Sequence, residues 1–294
     1  MIVVIVRGLG DIGSAVAHLL FREGYGVVIH DDPRPATTRR GMAFADAAFD
    51  GQAELDGVRA VRTDGAGEIA RALERRDAVP VHVGPLGTLL AGLGHQVLID
   101  ARVRKRAAPE VQVGRAELTI AMGPALVAAL HAHVVVETSW DALGGVITEG
   151  ASLPLAGEPR AIAGHARDRY VYAPVDGVLR TKARIGDAVR RGEEVARVGA
   201  TALLAPLDGV LRGLTHDDVP VRGRDEGHRG GPAREGRRGA GHRRAAAPHR
   251  GGRPLSGASL GAAPSTLTSP RPLRVERLGP GSECCPATPV TQQA

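Results

Sequence analysis

The residues best suited to chemistry come early in the chain. Gly8-Leu9-Gly10-Asp11-Ile12-Gly13 fits the pattern G-x-G-x-x-G, with Arg7 directly before it and Asp31 18 residues past its last glycine. In this pattern the first glycine permits a tight turn, the second lets backbone approach a ligand, and the third lets a helix pack on a strand. Free N–H groups and the positive dipole end at the helix start receive a phosphate or another oxyanion. An acid at about the spacing of Asp31 binds a ribose hydroxyl. Arg7 and Asp11, charged residues flanking the glycines, point to a ligand more specific than a pyrophosphate. The Arg39-Arg40 pair suits a bidentate grip on an anion. Asp100, followed by Arg102, Arg104, Lys105 and Arg106, ends another apolar run. Each group also has a structural reading: a strand-to-helix connection, a solvated helix start and a surface loop.

These residues need a scaffold, and the periodicity predicts one. Residues 2–6 are an unbroken Ile/Val run, read as a strand buried on both faces. Residues 14–22 follow at helical spacing, and 27–29 form a second strand stopped by Pro33 and Pro35. Residues 42–49 read as a small-residue helix, 51–62 as a hairpin and 67–76 as an amphipathic helix. Further strands fall at 79–83, 96–100, 118–122 and 133–136, with helical segments at 86–93 and 125–130. Strands ending at Asp31, Asp100 and Glu137 alternate with short helices, which predicts an α/β sheet. Ligands gather at the carboxyl ends of such strands. We therefore read residues 1–150 as a Rossmann-like α/β domain. His131 and His133 are expected to be structural or solvated, and no metal ligands are assigned.

A linker at 151–164 leads to a different architecture. Ala173-Pro-Val-Asp-Gly-Val-Leu-Arg180 recurs as Ala205-Pro-Leu-Asp-Gly-Val-Leu-Arg212, 32 residues on. Pro-x-Asp-Gly is a turn followed by apolar strand residues. The pattern matches the half-repeat of a barrel-sandwich hybrid, the fold of lipoyl and biotinyl carriers, and predicts a partial module of this kind at 165–221. Carriers require a lysine on the hairpin between repeats, and residues 199–204 have none. A structural or docking role is the expectation. The second repeat loses its apolar closing residues, since Val195 and Val198 map to Gly227 and Gly230. Residues 222–294 lack Phe, Trp and Tyr and are rich in Gly, Pro, Arg and Ser, a composition expected to be disordered. An altered reading frame or a recent extension beginning near Arg222 would give this change.

Composition narrows the function. The chain is 43% hydrophobic but only 2% aromatic, so its core must be aliphatic. Thirteen Arg and five acids from Arg222 onward give +8, against +6 for the whole chain, so residues 1–221 carry −2. A mildly acidic folded part makes nucleic acid an improbable partner, and the basic tail lacks interleaved aromatics for base stacking. No apolar run approaches a membrane span, and the start lacks a basic leader and cleavage site. A cytoplasmic protein is the expectation. Cys284 and Cys285 are adjacent and supply neither a disulfide framework nor a zinc site.

Taken in order, the motifs resemble those of the selenium-dependent molybdenum hydroxylase system protein family (YqeB). The matching stretches are Val4 through Asp11, Thr38-Arg39-Arg40, Phe44-Ala45-Asp46-Ala47, Asp50-Gly51, Asp100-Ala101-Arg102 and Lys105-Arg106. They continue with Met122-Gly123-Pro124, Val136-Glu137-Thr138, Gly145-Val146-Ile147 and both Ala-Pro-x-Asp-Gly repeats, so that the resemblance covers roughly residues 2–221. It implies an accessory protein that handles or inserts the molybdenum cofactor for hydroxylases of the xanthine dehydrogenase type, with a hydroxylase subunit as partner. It transfers no catalytic residue. On this expectation Arg7, Gly8, Gly10, Asp11 and Gly13 cradle an anionic group, with Asp31, Arg39, Arg40, Asp100 and Lys105 lining the same cleft. A molybdopterin nucleotide carries both phosphate and nucleotide, so the turn suits it as well as NAD(P). An NAD(P)-dependent oxidoreductase and a non-catalytic scaffold for hydroxylase assembly are the alternatives.

Overall fold

A computed structural model describes residues 1–105, 107–155, 159, 161–223 and 273–276, the last four by backbone alone. The initial Ile/Val run is β1 (Val3–Arg7), followed by α1 (Asp11–Arg22) and β2 (Gly26–His30). Helix α1 stops at Gly24, whose φ of +93° is open to glycine and strained for other residues. The chain continues through α2 (Ala47–Asp50), β3 (Gln52–Leu55), β4 (Val58–Thr63), α3 (Ala66–Arg75), β5 (Val79–His82) and α4 (Leu86–Gly92). Then come β6 (Val97–Asp100), β7 (Leu118–Met122), β8 (Val134–Val136) and β9 (Val146–Ile147).

These nine strands form one mixed sheet in the order β3-β4-β5-β2-β1-β6-β7-β8-β9. The seven strands from β4 to β8 in that order run parallel, and the antiparallel edge strands β3 and β9 close the ends. Alternation along each central strand separates two cores. Val4 and Val6 pack with Ala17 of α1 and with Phe44, while Ile5, Val28 and Leu98 pack with Ile69 and Leu73 of α3 and Leu89 of α4. Ile5, Val6, Leu98 and Phe44 are fully buried, each worth about 1.5–3 kcal/mol by transfer from water. Few aromatics are needed because Val, Ile, Leu and Ala fill both layers.

Two expected helices are altered. Residues 42–49 divide into a 3-10 turn (Arg40–Met42) and the single-turn α2, because Ala43 between them is extended (φ −156°, ψ 157°). That extension lowers Phe44 onto the sheet, where its N–H donates to Ser14 Oγ at 2.8 Å. Residues 125–130 are turns rather than a helix, with Ala125 and Ala129 at φ of +56° and +64°. The hairpin, the helices at 66–75 and 86–92 and the parallel strands lie where the periodicity places them, within a residue or two.

The second architecture is antiparallel. Its strands are β10 (Tyr170–Val171), β11 (Gly177–Arg180), β12 (Ala188–Val189), β13 (Glu194–Val198), β14 (Thr201–Leu204), β15 (Gly209–Gly213), β16 (Val219–Val221) and β17 (Leu273–Glu276). They form two four-stranded sheets, β14-β13-β11-β16 and β10-β17-β15-β12. The 32-residue repeat relates β11 to β15, β12 to β16 and β10 to β14. Under the same relation β17 stands where a counterpart of β13 belongs: Leu179 pairs with Val198, and Leu211 pairs with Val275. The segment Ala196-Arg-Val198 thus corresponds to Leu273-Arg-Val275. The repeat offset would have pointed to residues 226–230, more than 40 residues before β17. Four residues of the segment expected to be disordered are therefore a strand; residues 224–272 and 277–294 lie outside the described residues.

The two architectures meet through hydrogen bonds to backbone and through Ala36 and Phe49, which pack with the module's core. Leu214 N–H donates to Thr38 O at 2.7 Å, and Arg40 Nε donates to Leu214 O at 2.9 Å. Among the described residues, no helix is long and apolar enough to cross a membrane.

Candidate functional site

Strand order reverses at β1: the chain moves outward on the β2 side and returns to the other side with β6. The crevice beyond the carboxyl ends of strands at such a reversal is the usual ligand position in an α/β sheet. Arg7, His30 and Asp100 end β1, β2 and β6 in register with one another, and the glycine turn leads from Arg7 into α1.

Two of the three glycines are sterically required. Gly8 has φ +124°, and a Cβ there would lie 3.1 Å from Arg102 N. A Cβ on Gly13 would lie 2.0 Å from Gly8 O, so α1 sits directly against the turn. Gly8 N–H donates to His30 O at 2.8 Å, fixing the turn to β2. Gly10 is different: it is the N-cap of α1 in an ordinary extended conformation (φ −71°), with no side-chain cap. The first helical amides have no intrahelical acceptor. Among the described residues, no protein acceptor is found for the N–H groups of Gly10, Asp11 and Gly13, while Ile12 N–H meets only Asp11 Oδ1, at 3.2 Å.

Asp31 accepts the Leu9 N–H at 2.6 Å through Oδ2, and the Asp32 N–H at 2.8 Å through Oδ1. Its carboxylate thus lies against the turn itself. Arg39 Nη1 bonds Asp11 Oδ2 at 3.0 Å, which brings the first arginine of the pair to the start of α1. Arg40 instead faces the antiparallel module, with Nη1 2.6 Å from Asp46 Oδ1 and Nε on Leu214 O. Lys105 is exposed on the 101–117 loop. The structure therefore gathers Gly8, Gly10, Asp11, Gly13, Asp31 and Arg39 at one turn. Arg7 and Asp100 lie at the adjoining strand ends, and Arg40 and Lys105 lie elsewhere.

A network beside the turn was not legible in the sequence. Arg7 Nη1 donates to Glu110 Oε2 at 2.9 Å and to Gln112 Oε1 at 3.0 Å. Arg102 donates to both Asp100 and Glu110, and Gln112 Nε2 donates to Asp100 Oδ2 at 3.1 Å. Gln112 is fully buried and Arg7 is 6% exposed. Burial penalises the charge on Asp100 and Glu110, but hydrogen bonds and the positive charge of Arg102 outweigh it and hold both carboxyls below their usual range. Burial, then the neighbouring Arg102, lowers Arg7, and Asp100 and Glu110 oppose that shift. The 101–117 loop is thus drawn inward by charge. A small cavity beside it, of about 30 Å³ and bordered by Asp100, Arg102, Glu110 and Met122, has room for little more than a water molecule.

His30 and His82 end β2 and β5, with ring centroids 6.3 Å apart. His30 Nε2 lies 2.9 Å from Gly84 O, and His82 Nδ1 lies 3.4 Å from Thr63 O. His30 Nδ1 and His82 Nε2 are buried and, among the described residues, have no hydrogen-bond partner. Burial is the main cause that pushes His30 down to about 4, with Arg7 adding to it. Their positions at strand ends were the only sequence signal for this pair. Glu137, 3% exposed, accepts N–H groups of Thr138, Ser139 and Leu153 at 2.6–2.7 Å. Burial opposes its charge, and these three donors nonetheless hold it below the usual range. His131 and His133 accept backbone N–H groups of Val127 and Thr119 at 2.8 and 3.0 Å, a structural use.

The geometry defines a mixed α/β protein with an open-amide turn at the strand-order reversal and an attached antiparallel module. No protein-family model matches the chain. The uncharacterized protein YqeB of Escherichia coli (strain K12) is 36% identical over 223 residues, which are 75% of this chain and 40% of that protein. The chain thus spans less than half the length of the curated relative it matches. This similarity supports the resemblance to YqeB proteins, and that relative's name assigns no activity. Among solved structures, the apo form of the ectoine utilization protein EutE (DoeB) from Ruegeria pomeroyi aligns at a TM-score of 0.18. Its identity is 14%, over 75% of this chain and 85% of that chain, too remote to bear on the fold.

Proposed function

We propose that the chain is an accessory protein that holds the phosphate-bearing end of a nucleotide cofactor at the Gly8–Gly13 turn, the cofactor being the molybdopterin nucleotide of molybdenum hydroxylases. The observation that carries this reading is the set of N–H groups of Gly10, Asp11 and Gly13, for which no acceptor is found among the described residues, at the start of a 12-residue helix. With the additional parallel strand β4 set aside, the order β5-β2-β1-β6-β7-β8 supports a Rossmann-like reading, in which dinucleotides lie across this crevice. Arg39, held at the helix start by its ion pair with Asp11, places a guanidinium beside the amides. The two antiparallel sheets are read as a barrel-sandwich hybrid whose lysine-free hairpin suits docking to a hydroxylase subunit rather than carrying a swinging arm. The molybdenum assignment rests on the family resemblance.

A scaffold without a ligand is the second reading. It is favoured by Asp31, whose bond to Leu9 N–H satisfies part of the turn from within. Calorimetric titration of the full chain with molybdopterin nucleotides, and separately with NAD(P)H, distinguishes them. The proposal expects saturable binding of the pterin nucleotide, weakened at least tenfold in Gly10→Val at unchanged thermal stability. Preference for NAD(P)H assigns an oxidoreductase, and binding of neither with retained hydroxylase affinity assigns the scaffold.

A further inference from the structure

We propose that Asp46, Asp50 and His216 form a site for a divalent transition-metal ion that fastens the α/β body to the antiparallel module. One ligand atom from each of the three lies within 4.8 Å of the others. Asp46 and Asp50 bracket α2 four residues apart, which places both carboxylates on one face of the turn. His216 arrives from the connection between β15 and β16, and its ring stacks on Phe49 at 3.9 Å and 3°.

The imidazole is held as metal-binding histidines are held. Its Nδ1 lies 2.7 Å from Asp217 O. A carbonyl oxygen only accepts, so Nδ1 carries a proton, and the lone pair offered to a metal is that of Nε2. Nε2 faces Asp50 Oδ2 at 3.7 Å, too far for a hydrogen bond. Two ligand atoms about 2.1 Å from one ion in tetrahedral geometry are about 3.4 Å apart, close to this separation. Arg40 Nη1 holds Asp46 Oδ1 at 2.6 Å and fixes that carboxylate, as an outer-shell partner does. Two carboxylates against one arginine give the ligand set an excess of negative charge suited to a cation. The imidazole donor favours Zn²⁺ or Ni²⁺ over Mn²⁺, Mg²⁺ or Ca²⁺, and three protein ligands leave a position for water.

Thermal melting of the full chain, stripped with EDTA and carrying Cys284→Ser and Cys285→Ser so that the paired thiols add no ligand, tests this. Micromolar Zn²⁺ or Ni²⁺ is expected to raise the melting temperature by about 5 °C or more at saturation, and equal Mg²⁺ to leave it unchanged. His216→Ala and Asp50→Asn should each abolish the rise. Asp50 is an exposed carboxylate, so Asp50→Asn remains informative if His216→Ala folds poorly. No rise in the parent protein, or the same rise in Asp50→Asn, overturns the site. A melting temperature that falls in the variants equally with and without metal reveals only an ion pair and overturns it also.

Discussion

Asp31 Oδ2 lies 2.6 Å from the backbone nitrogen of Leu9 and accepts its hydrogen. An acid at this spacing is expected to face a ribose; here it grips the loop that would carry the phosphate. Turn and acid are one unit, and a ligand hydroxyl reaching Asp31 would share its oxygens with the backbone. Asp31→Asn should therefore destabilise the ligand-free protein by about 2 kcal/mol, the range for a hydrogen bond to a charged group. Chemical denaturation reads this directly, and an unchanged midpoint would show that Asp31 serves only a ligand.

Gly13→Ala should be worse. The new methyl carbon would stand 2.0 Å from Gly8 O, a backbone atom that cannot swing aside. Displacing α1 from β1 is expected to remove about 3 kcal/mol of stability, at the upper end of ordinary overpacking. Denaturant midpoints of Gly13→Ala and Gly10→Ala make the comparison. Gly10, at φ −71°, should tolerate alanine with little loss.

Acid should weaken the fold through His30. Its pKa falls from 6.5 unfolded to about 4 folded, so the unfolded chain binds the extra proton between those values. The stability from keeping His30 neutral is complete above pH 6.5 and is lost as pH falls toward 4. At most about 3 kcal/mol is involved. Asp100 and Glu110, held low by Arg102, act in the same direction at more acid pH. In His30→Phe, unfolding free energy should vary less between pH 6.5 and 4 than in the parent; an unchanged slope would rule His30 out.

Removal of everything after Gly223 should loosen the antiparallel module. It deletes β17, the partner of both β10 and β15, and leaves β15 with an unpaired edge. Hydrogen exchange at β10 and β15 should accelerate while β1 and β2 stay protected. Equal protection in both forms would show that β17 contributes nothing to the antiparallel module.

What could be read from the sequence followed local patterns. The Ile/Val run, the glycine spacing and the 32-residue repeat depend on neighbours close in the chain, and they placed β1, α1, β11 and β15. Phe44 lay inside an expected helix, but its burial against Ser14 of α1 required an extended Ala43. Arg7 meets Glu110 and Gln112 across more than 100 residues, a pairing no periodicity encodes. Arg40 was grouped with Arg39 as an anion grip, yet neighbours in an irregular segment diverge, and one faces Asp11 while the other faces Leu214. β17 was hidden in a segment of unpromising composition, because four residues are too short to alter an average.

The antiparallel module is discontinuous: three strands of its second half are contiguous, and the fourth comes back from residue 273. For a chain connection in general, about 50 residues rather than about four add only about 2 kcal/mol of closure entropy, since that term grows with the logarithm of length. One or two well-filled apolar positions offset such a sum. Lengthening or shortening the chain between β16 and β17 should accordingly change the closure of the antiparallel module far less than a single replaced strand residue would.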